Sequence, residues 1–325
     1  MSILIIVKEV MGVTVMIVSV KNLVKRYGDL VATDHLSFEV KEGEIFGLLG
    51  PNGSGKTTAI NCILSLLNYD KGEIKLFDKP MAPDAYDIKR DIGVIMQDVA
   101  VFEELTVFEN IDYFCGLYIS DKATRKKLVE EAIDFVGLND FRKFYPKKLS
   151  GGLLRRLNIA CGVAHKPKLI ILDEPTVAVD PQSRNNILDG IKKLNEEGAT
   201  VIYTSHYMEE VEQLCSRIVI MDKGKIIAMG TNEELKAMIK LGEKITVEIF
   251  DLSNSYLEKI KRLPNINSVE YIEKNLVIKY NKGKHNLNTL LDFFRDNEIT
   301  YGRIYSELPT LNDVFLEITG KELRD

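Results

Sequence analysis

The chain has few of the residues that mark disulfide-rich, zinc-binding or nucleic-acid-binding proteins. Its 325 residues include four cysteines, which lie far apart and form no CxxC pair. This arrangement is typical of reduced, buried thiols in a cytosolic protein and excludes a disulfide framework or a cysteine-based zinc site. The formal net charge is −5, whereas a nucleic-acid-binding protein usually carries a basic face or stripe. The sequence therefore predicts a soluble cytosolic protein without a nucleic-acid partner.

The chain also lacks an apolar run of the roughly 20 residues that a membrane-spanning helix needs. Its most apolar segment lies at the start and is interrupted by Lys8 and Glu9. A secretory signal would place its positive charge before the apolar core and not inside it. We expect residues 1–15 to be an N-terminal extension, either a β-strand or sequence upstream of a natural start at Met11 or Met16.

What the chain does contain is an alternation of short apolar runs and helical patterns over residues 16–242. This alternation predicts an α/β fold with a parallel central sheet, and the nearly all-helical block at about residues 102–164 predicts a helical subdomain. From residue 243 to residue 325 the order becomes β-α-β-β-α-β, followed by an amphipathic helix over Leu311–Thr319. That order is ferredoxin-like, so we predict a small α+β C-terminal domain over residues 243–325.

A glycine-rich segment matches G-x-x-x-x-G-K-[ST] and lies between a strand pattern and a helix pattern. Glycines allow consecutive backbone N–H groups to converge on phosphate oxygens, while Lys56 reaches the β- and γ-phosphates and the Thr57 hydroxyl is placed to bind Mg²⁺. The alternative, a turn with an incidental lysine, does not explain the flanking strand and helix. The predicted nucleotide-binding loop consists of Gly50, Pro51, Asn52, Gly53, Ser54, Gly55, Lys56, Thr57 and Thr58.

Polar side chains follow three of the predicted strands. Asp173 and Glu174 end a buried apolar run; Asp173 suits a water-mediated contact with Mg²⁺, and Glu174 could activate or orient a water molecule facing the γ-phosphate. An N-cap role for this pair is the alternative. His206 ends the neighbouring strand, and Gln97 follows a third strand, where its amide suits contact with Mg²⁺ or water. We therefore predict a catalytic group of Glu174, His206 and Gln97 and a metal site of Thr57, Gln97 and Asp173. The other histidines are expected to be structural: His35, His165 and His285.

A second loop with the character of an anion site is the Ser-Gly-Gly segment of Leu149–Gly152, which runs directly into an apolar helical pattern. Free backbone N–H groups and the helix dipole point the same way at such a helix start. The chain thus carries two loops suited to phosphate.

Together, and in this order, these motifs resemble the ATP-binding subunit of an ABC transporter, a P-loop NTPase. The resemblance covers about residues 17–242. Tyr27 matches the aromatic residue that stacks on adenine in that family; an ordinary edge-strand tyrosine is the alternative. Two departures are Leu153, where the family usually has a polar or flexible residue, and the Val-Ala-Val of Val177–Asp180.

The resemblance implies a function for the second loop, Leu149–Gly152. In the family two subunits pack head to tail, and the Leu-Ser-Gly-Gly loop of one covers the γ-phosphate held by the other. It implies that each ATP, with its Mg²⁺, lies between Lys56 of one copy and the loop of its partner, so that ATP binding closes the homodimer and hydrolysis opens it. It also implies a separate transmembrane permease, which would hold this cytoplasmic subunit at the inner face of the cell membrane. The partner-facing residues would be Ser150, Gly151, Gly152 and Asp180.

Two segments indicate which group of ABC transporter ATPases the chain resembles. Pro309–Gly320 and Asp173–Arg184 are similar to the corresponding segments of ATPases that serve multidrug exporters of the ABC-2 type, the daunorubicin-resistance group. An ATP-driven exporter subunit is therefore the predicted function, and the cargo would be chosen by the permease.

Other classes of ATPase and of nucleotide-binding protein fit the motifs less well. Kinases and GTPases lack the Ser-Gly-Gly helix start and the Asp-Glu pair followed by a strand-end histidine. A non-transport ABC ATPase acting on DNA or ribosomes remains the alternative, although residues 102–146 are too few for a long coiled coil and the chain has one ATPase unit. A binding module with a dead site is opposed by the presence of Lys56, Glu174 and His206.

Overall fold

The computed structural model of the chain describes residues 15–321, and these residues form two compact units that divide between Thr231 and Asn232. The predicted N-terminal extension, except Val15, lies outside the described residues. None of the helices between residues 15 and 321 has both the length and the apolar composition needed to cross a bilayer.

The first unit contains ten strands and seven α-helices within its described residues. The strands are β1 (Met16–Tyr27), β2 (Leu30–Lys41), β3 (Ile45–Leu49), β4 (Lys71–Leu76), β5 (Lys79–Pro80), β6 (Ile92–Ile95), β7 (Leu169–Asp173), β8 (Thr200–Ser205), β9 (Arg217–Asp222) and β10 (Lys225–Gly230). The helices are α1 (Lys56–Ile63), α2 (Tyr86–Lys89), α3 (Val107–Gly116), α4 (Lys122–Phe135), α5 (Gly151–Val163), α6 (Pro181–Glu196) and α7 (Met208–Leu214).

The central sheet has the order β10-β9-β3-β8-β7-β6, and all its neighbouring strands are parallel except the edge pair β10-β9. Every residue of β3, β7 and β8 is buried. Continuous apolar runs are what a parallel sheet covered on both faces requires. The predicted parallel α/β core is confirmed.

A second sheet in this unit was not expected from the sequence. Its order is β2-β1-β4-β5, and its pairs are antiparallel. Along β2 buried and exposed residues alternate, which is the pattern of an antiparallel sheet with one face on the core. A single apolar core joins this sheet, α1 and the central sheet; it includes Val20, Phe38, Ile60, Leu48 and Ile171.

Three helices form the helical subdomain, and each begins at a polar capping residue. Thr106 and Glu109 form a reciprocal capping box at α3, Asp121 accepts from the third residue of α4, and Ser150 caps α5. Side-chain oxygens at these positions satisfy backbone N–H groups that have no partner inside the helix. The sequence therefore fixes where each of these helices starts.

The second unit is an antiparallel sheet of the order β12-β13-β11-β14 with helices beside it. Its β-α-β-β-α-β order and this strand order confirm the ferredoxin-like prediction. Its core residues include Ile245, Ile278, Leu290 and Phe294. The elements are α8 (Asn232–Met238), β11 (Leu241–Glu248), α9 (Asn254–Ile260), β12 (Ile266–Ile272), β13 (Asn275–Asn281), α10 (Asn286–Asp296), β14 (Ile304–Glu307) and α11 (Leu311–Thr319).

The last strand of this unit corrects one expectation. The β-like pattern of residues 299–305 predicts a strand there, but β14 begins at Ile304. The Ile299 N–H donates to the Phe294 carbonyl and closes the end of α10, and the Gly302 N–H donates to the Glu248 carbonyl. Gly302 therefore bonds to the last residue of β11, and the regular pairing of β14 follows, from Ile304 opposite Val247 to Glu307 opposite Lys244.

Candidate nucleotide-binding and catalytic site

The glycine-rich loop joins β3 to α1 at the carboxyl edge of the central sheet. A Cβ atom on Gly50 would collide with the Met221 carbonyl oxygen, and one on Gly55 would collide with that of Ala32. Gly55 also has φ +101°, a backbone conformation that residues with a Cβ rarely adopt. The loop can therefore lie this close to its neighbours only because glycine occupies these positions.

Lys56 is 4% exposed and points into this loop. Its Nζ atom donates to the Gly50 carbonyl at 2.8 Å and to the Pro51 carbonyl at 3.3 Å, and it lies 3.1 Å from Oε1 of Glu174. A buried cation surrounded by loop backbone is suited to bind phosphate oxygens that enter the loop.

Glu174 connects the loop to the second strand-end residue that the sequence singled out. Its Oε2 atom lies 3.2 Å from Nδ1 of His206, so this ring nitrogen carries the proton when it binds the ionised carboxylate. The two residues are 6% and 9% exposed. The structure thus brings Lys56, Glu174 and His206 into one line of contacts. The contact between Glu174 and His206 agrees with their predicted positions at neighbouring strand ends.

The backbone of Glu174 is in the left-handed region, with φ +48°. Its N–H group bonds to the carbonyl and the hydroxyl of Thr204 at 3.2 and 3.0 Å. Its carbonyl accepts from Arg155 at 3.1 Å. A non-glycine residue in this region is uncommon and is held there by its surroundings.

An open cleft of about 450 Å³ lies over the loop. Its size falls within the range of small-molecule sites. Predicted residues from separate parts of the first unit meet in its lining: Tyr27, Asn52, Gly53, Ser54, Gly55, Lys56, Thr57, Thr58, Gln97 and Glu174. Tyr27 is half exposed, and Lys25 Nζ lies 5.2 Å from the centre of its ring.

The oxygen groups beside this cleft fit a magnesium ion. Thr57 and Gln97 line it, and Asp173 is fully buried beside Glu174. Asp173 Oδ1 accepts from the Thr204 hydroxyl at 2.5 Å, whereas its Oδ2 has no hydrogen-bond partner among residues 15–321. Hydroxyl, amide and carboxylate oxygens are the ligands Mg²⁺ prefers, and it commonly retains several waters.

The Ser-Gly-Gly loop lies elsewhere in the first unit. Ser150 and Gly151 are exposed, and no residue of Leu149–Gly152 belongs to the described lining of the cleft. A Cβ atom on Gly152 would collide with the Ser183 side chain and would lie 3.0 Å from Oδ2 of Asp180. Asp180 caps α6 by accepting from the Ser183 N–H, and this bond lowers the pKa of Asp180. The predicted partner-facing residues are therefore not brought to the chain's own nucleotide cleft.

Sequence reasoning missed a buried carboxylate behind His206. Glu210 is 2% exposed and accepts hydrogen bonds from the hydroxyls of Thr176, Tyr203 and Ser205 at 2.8–2.9 Å. Ser205 in turn accepts from the Tyr207 N–H, so the residues on both sides of His206 are fixed. No motif marked Glu210, because it is an ordinary helical glutamate until β8 and α7 pack together.

Comparisons with known proteins agree with this architecture. A solved structure of a dimeric, post-hydrolysis ATP-binding cassette bound to ADP and Pi is 29% identical, with a TM-score of 0.61, and covers 66% of this chain and 98% of that chain. The solved structure of cbiO1 of Clostridium perfringens, part of the ABC transporter complex cbiONQ, is 25% identical, with a TM-score of 0.64, and covers 77% of this chain and 96% of that chain. The first unit is thus a P-loop ATPase cassette.

Sequence relatives extend over both units. Residues 33–177 match the ABC transporter family, and residues 230–319 match the C-terminal domain of DrrA1-3-like ATP-binding proteins. The linearmycin resistance ATP-binding protein LnrL of Bacillus subtilis is 39% identical over 94% of this chain and 99% of its own length. The daunorubicin resistance ATP-binding protein DrrA3 of Streptomyces coeruleorubidus is 32% identical over 94% and 97%. The chain belongs to the ATP-binding subunits of ABC transporters, in the group of ABC-2 type drug-exporter ATPases.

Proposed function

We propose that this chain hydrolyses ATP to drive an exporter of the ABC-2 type. The observation that carries the proposal is the line of contacts from Lys56 through Glu174 to His206. Lys56 and Glu174 line the cleft together with Gln97 and Tyr27. Lys56 would bind the β- and γ-phosphates, and Tyr27 would stack on the adenine. Magnesium, when bound through Thr57, Gln97 and a water held by Asp173, would neutralise phosphate charge.

Glu174 would then act on the attacking water. Its carboxylate is the buried base nearest to the lysine that holds the phosphates, and it can accept a proton or orient the water toward the γ-phosphate. His206 would keep this carboxylate in place by donating from Nδ1. A carboxylate held on one side by a cation and on the other by an imidazole has little freedom to turn away.

The proposal includes a head-to-tail dimer of two copies. It is supported by the exposure of Ser150 and Gly151 and by their separation from the chain's own cleft. Ser150, Gly151 and Gly152 of one copy, with Asp180 nearby, would complete the site on the other.

A membrane permease would be the third component and would hold the pair at the inner face of the membrane. The relatives named for linearmycin resistance, daunorubicin resistance and Nod factor export support an exporter. Recovery of the tagged chain with an integral membrane protein supports transport, whereas recovery with ribosomes or DNA supports the non-transport alternative.

Mixing two inactive variants tests the shared site. Lys56→Ala and Ser150→Arg should each be nearly inactive, because every site in either homodimer has one broken half. An equimolar mixture should recover about a quarter of the unmodified ATPase rate, since half of the pairs are mixed and each has one intact site. ATP hydrolysis is measured after mixed dimers have been demonstrated by two-tag purification.

In the control, the Lys56→Ala chain is mixed with a chain that carries both Lys56→Ala and Ser150→Arg. No site in that mixture has an intact Lys56. That mixture should stay inactive. Absence of rescue in verified mixed dimers of the two single variants would show that the Ser150 loop does not act on the partner's nucleotide.

A further inference from the structure

Arg155 is a buried cation that no motif marked. It lies on α5, five residues after Ser150, and is 4% exposed. Its Nη1 atom donates to the Met96 carbonyl at 2.9 Å, and its Nη2 atom donates to the Glu174 carbonyl at 3.1 Å. One side chain therefore joins the helix that starts at the Ser-Gly-Gly loop to the residue before Gln97 and to Glu174.

The bond to Glu174 supports a strained part of the backbone. Glu174 adopts φ +48°, and such a conformation persists only where neighbouring groups hold it. Thr204 holds the N–H side of the residue, and Arg155 holds the carbonyl side. Without Arg155 the peptide after Glu174 could rotate, and the carboxylate would move with it.

The burial of this guanidinium is costly, which argues for a role beyond packing. Burial lowers the pKa of Arg155, and the negative charges of Asp98 and Asp173 act in the opposite direction. Both of its hydrogen-bond acceptors in the structure are main-chain carbonyls. Buried ion pairs can often be replaced by apolar residues of similar size without loss of stability, so stability alone is a weak reason to bury a guanidinium here.

The same helix makes a second contact with the segment after Gln97. The Asn158 side-chain oxygen accepts from the Ala100 N–H at 3.1 Å. Arg155 and Asn158 lie three positions apart, and residues so spaced lie on the same side of a helix. The contacts of α5 therefore bracket Gln97, from Met96 to Ala100.

We propose that Arg155 is a positioning residue for ATP hydrolysis: it orients Glu174 and the strand end before Gln97 and ties both to the helix that begins at the Ser150 loop. This inference rests on the proposed role of Glu174. Arg155 itself would not touch the nucleotide, so its loss should slow hydrolysis without weakening ATP binding.

The test compares adjacent arginines in the full-length chain. Arg155→Met should lower kcat by about 10- to 100-fold, the usual cost of misplacing a reacting group by about an ångström, with an ATP Kd within about twofold of the unmodified value. Arg156→Met is the matched control, because Arg156 donates to the Val136 carbonyl of the helical subdomain instead. It should change kcat by less than about twofold. Arg155→Lys, which cannot span two carbonyls as the guanidinium does, should be intermediate.

A double substitution separates positioning from a general structural effect. In a Glu174→Gln background, Arg155→Met should cause little further loss, because the group that it positions is already removed. An equal fold-loss in both backgrounds, or a parallel loss of ATP affinity, would overturn the proposal. Should Arg155→Met fail to fold by circular dichroism, Arg155→Lys is used in the same cycle. High residual hydrolysis in Glu174→Gln alone would instead refute the proposed role of Glu174.

Discussion

The first unit buries five charged side chains that are each at most 6% exposed, whereas the described part of the second unit, residues 232–321, has none among its buried residues. The five are Lys56, Arg155, Asp173, Glu174 and Glu210. The core of the second unit is a cluster of aliphatic and aromatic side chains, and its one buried polar residue is Asn286.

This difference indicates that the buried charges of the first unit serve its site and not the stability of its fold. Taking a charge out of water costs several kcal/mol, and pairing often only offsets that cost. Both units form compact cores of apolar side chains, so the buried charges of the first are not needed to make a fold. They gather where β7 and β8 end, beside the cleft. The second unit, by contrast, has no such cluster of buried charges among its described residues.

The largest effect expected from this contrast concerns matched glutamates. Glu174→Gln should retain ATP binding and slow hydrolysis by about 10²- to 10⁴-fold, the usual contribution of a general base. Glu270→Gln, on an exposed position of β12, should leave the rate unchanged. Both rates are measured at saturating ATP. Near-normal turnover in Glu174→Gln would remove the proposed distinction between the units.

The next effect concerns how the free energy of unfolding depends on pH through one buried and one exposed histidine. His165 is buried and stacks on Tyr118 at a centroid distance of 3.9 Å, and burial lowers its pKa to about 4. Because the unfolded chain binds the proton more tightly, the stability that neutral His165 contributes is present above pH 6.5 and is lost as the pH falls toward 4. The loss should reach about 3 kcal/mol.

Chemical denaturation between pH 7 and pH 4 measures this loss. His165→Phe keeps an aromatic ring against Tyr118 and should flatten the pH dependence of unfolding of the first unit. The exposed His285 of the second unit serves as the comparison, and His285→Phe should leave the slope unaltered. An unchanged slope in His165→Phe would show that this ring is protonated equally in the folded and unfolded chain.

The smallest effect should be equal in the two units. Thr106 and Thr310 each form a capping box with the residue three positions later, and each accepts that residue's N–H at 3.3 Å. Alanine at either position should lower the free energy of unfolding by about 1 kcal/mol. Thr300→Ala, at an exposed position without a cap, is the control. Unequal cap effects, measured by denaturant titration, would show that local helix starts are not equivalent in the two units.

Patterns confined to a few neighbouring residues were the predictable part of this molecule. The glycine-rich loop needs special backbone angles, buried parallel strands read as unbroken apolar runs, and α11 begins and ends at the residues expected. The helical pattern of residues 56–67 predicts a helix that reaches Leu67, but α1 ends at Ile63, because Ser65 adopts φ +51°. No glycine or proline in residues 63–67 predicts this turn.

Features that depend on distant partners were not predictable in the same way. The separate sheet of β1, β2, β4 and β5 arises because β1 pairs with two strands on opposite sides, which an alternation pattern does not reveal. Arg155 and Glu210 read as ordinary helical residues until the strands that they contact are in place. The functional boundary at residue 242 stays a prediction, as do the roles of the site residues; the compact units divide earlier because α8 packs against α11.

The strand order has a consequence for the chain while it is being made. Strand β3, which leads into the nucleotide loop, pairs on one side with β8 and on the other with β9. Both partners begin more than 150 residues later in the chain. At synthesis rates of about 5–20 residues per second, β3 leaves the ribosome about 10 to 30 seconds before either neighbour exists. Strand β3, whose residues are all buried in the folded protein, must therefore remain without these partners, whereas β12 and β13 of the second unit can pair as soon as both emerge.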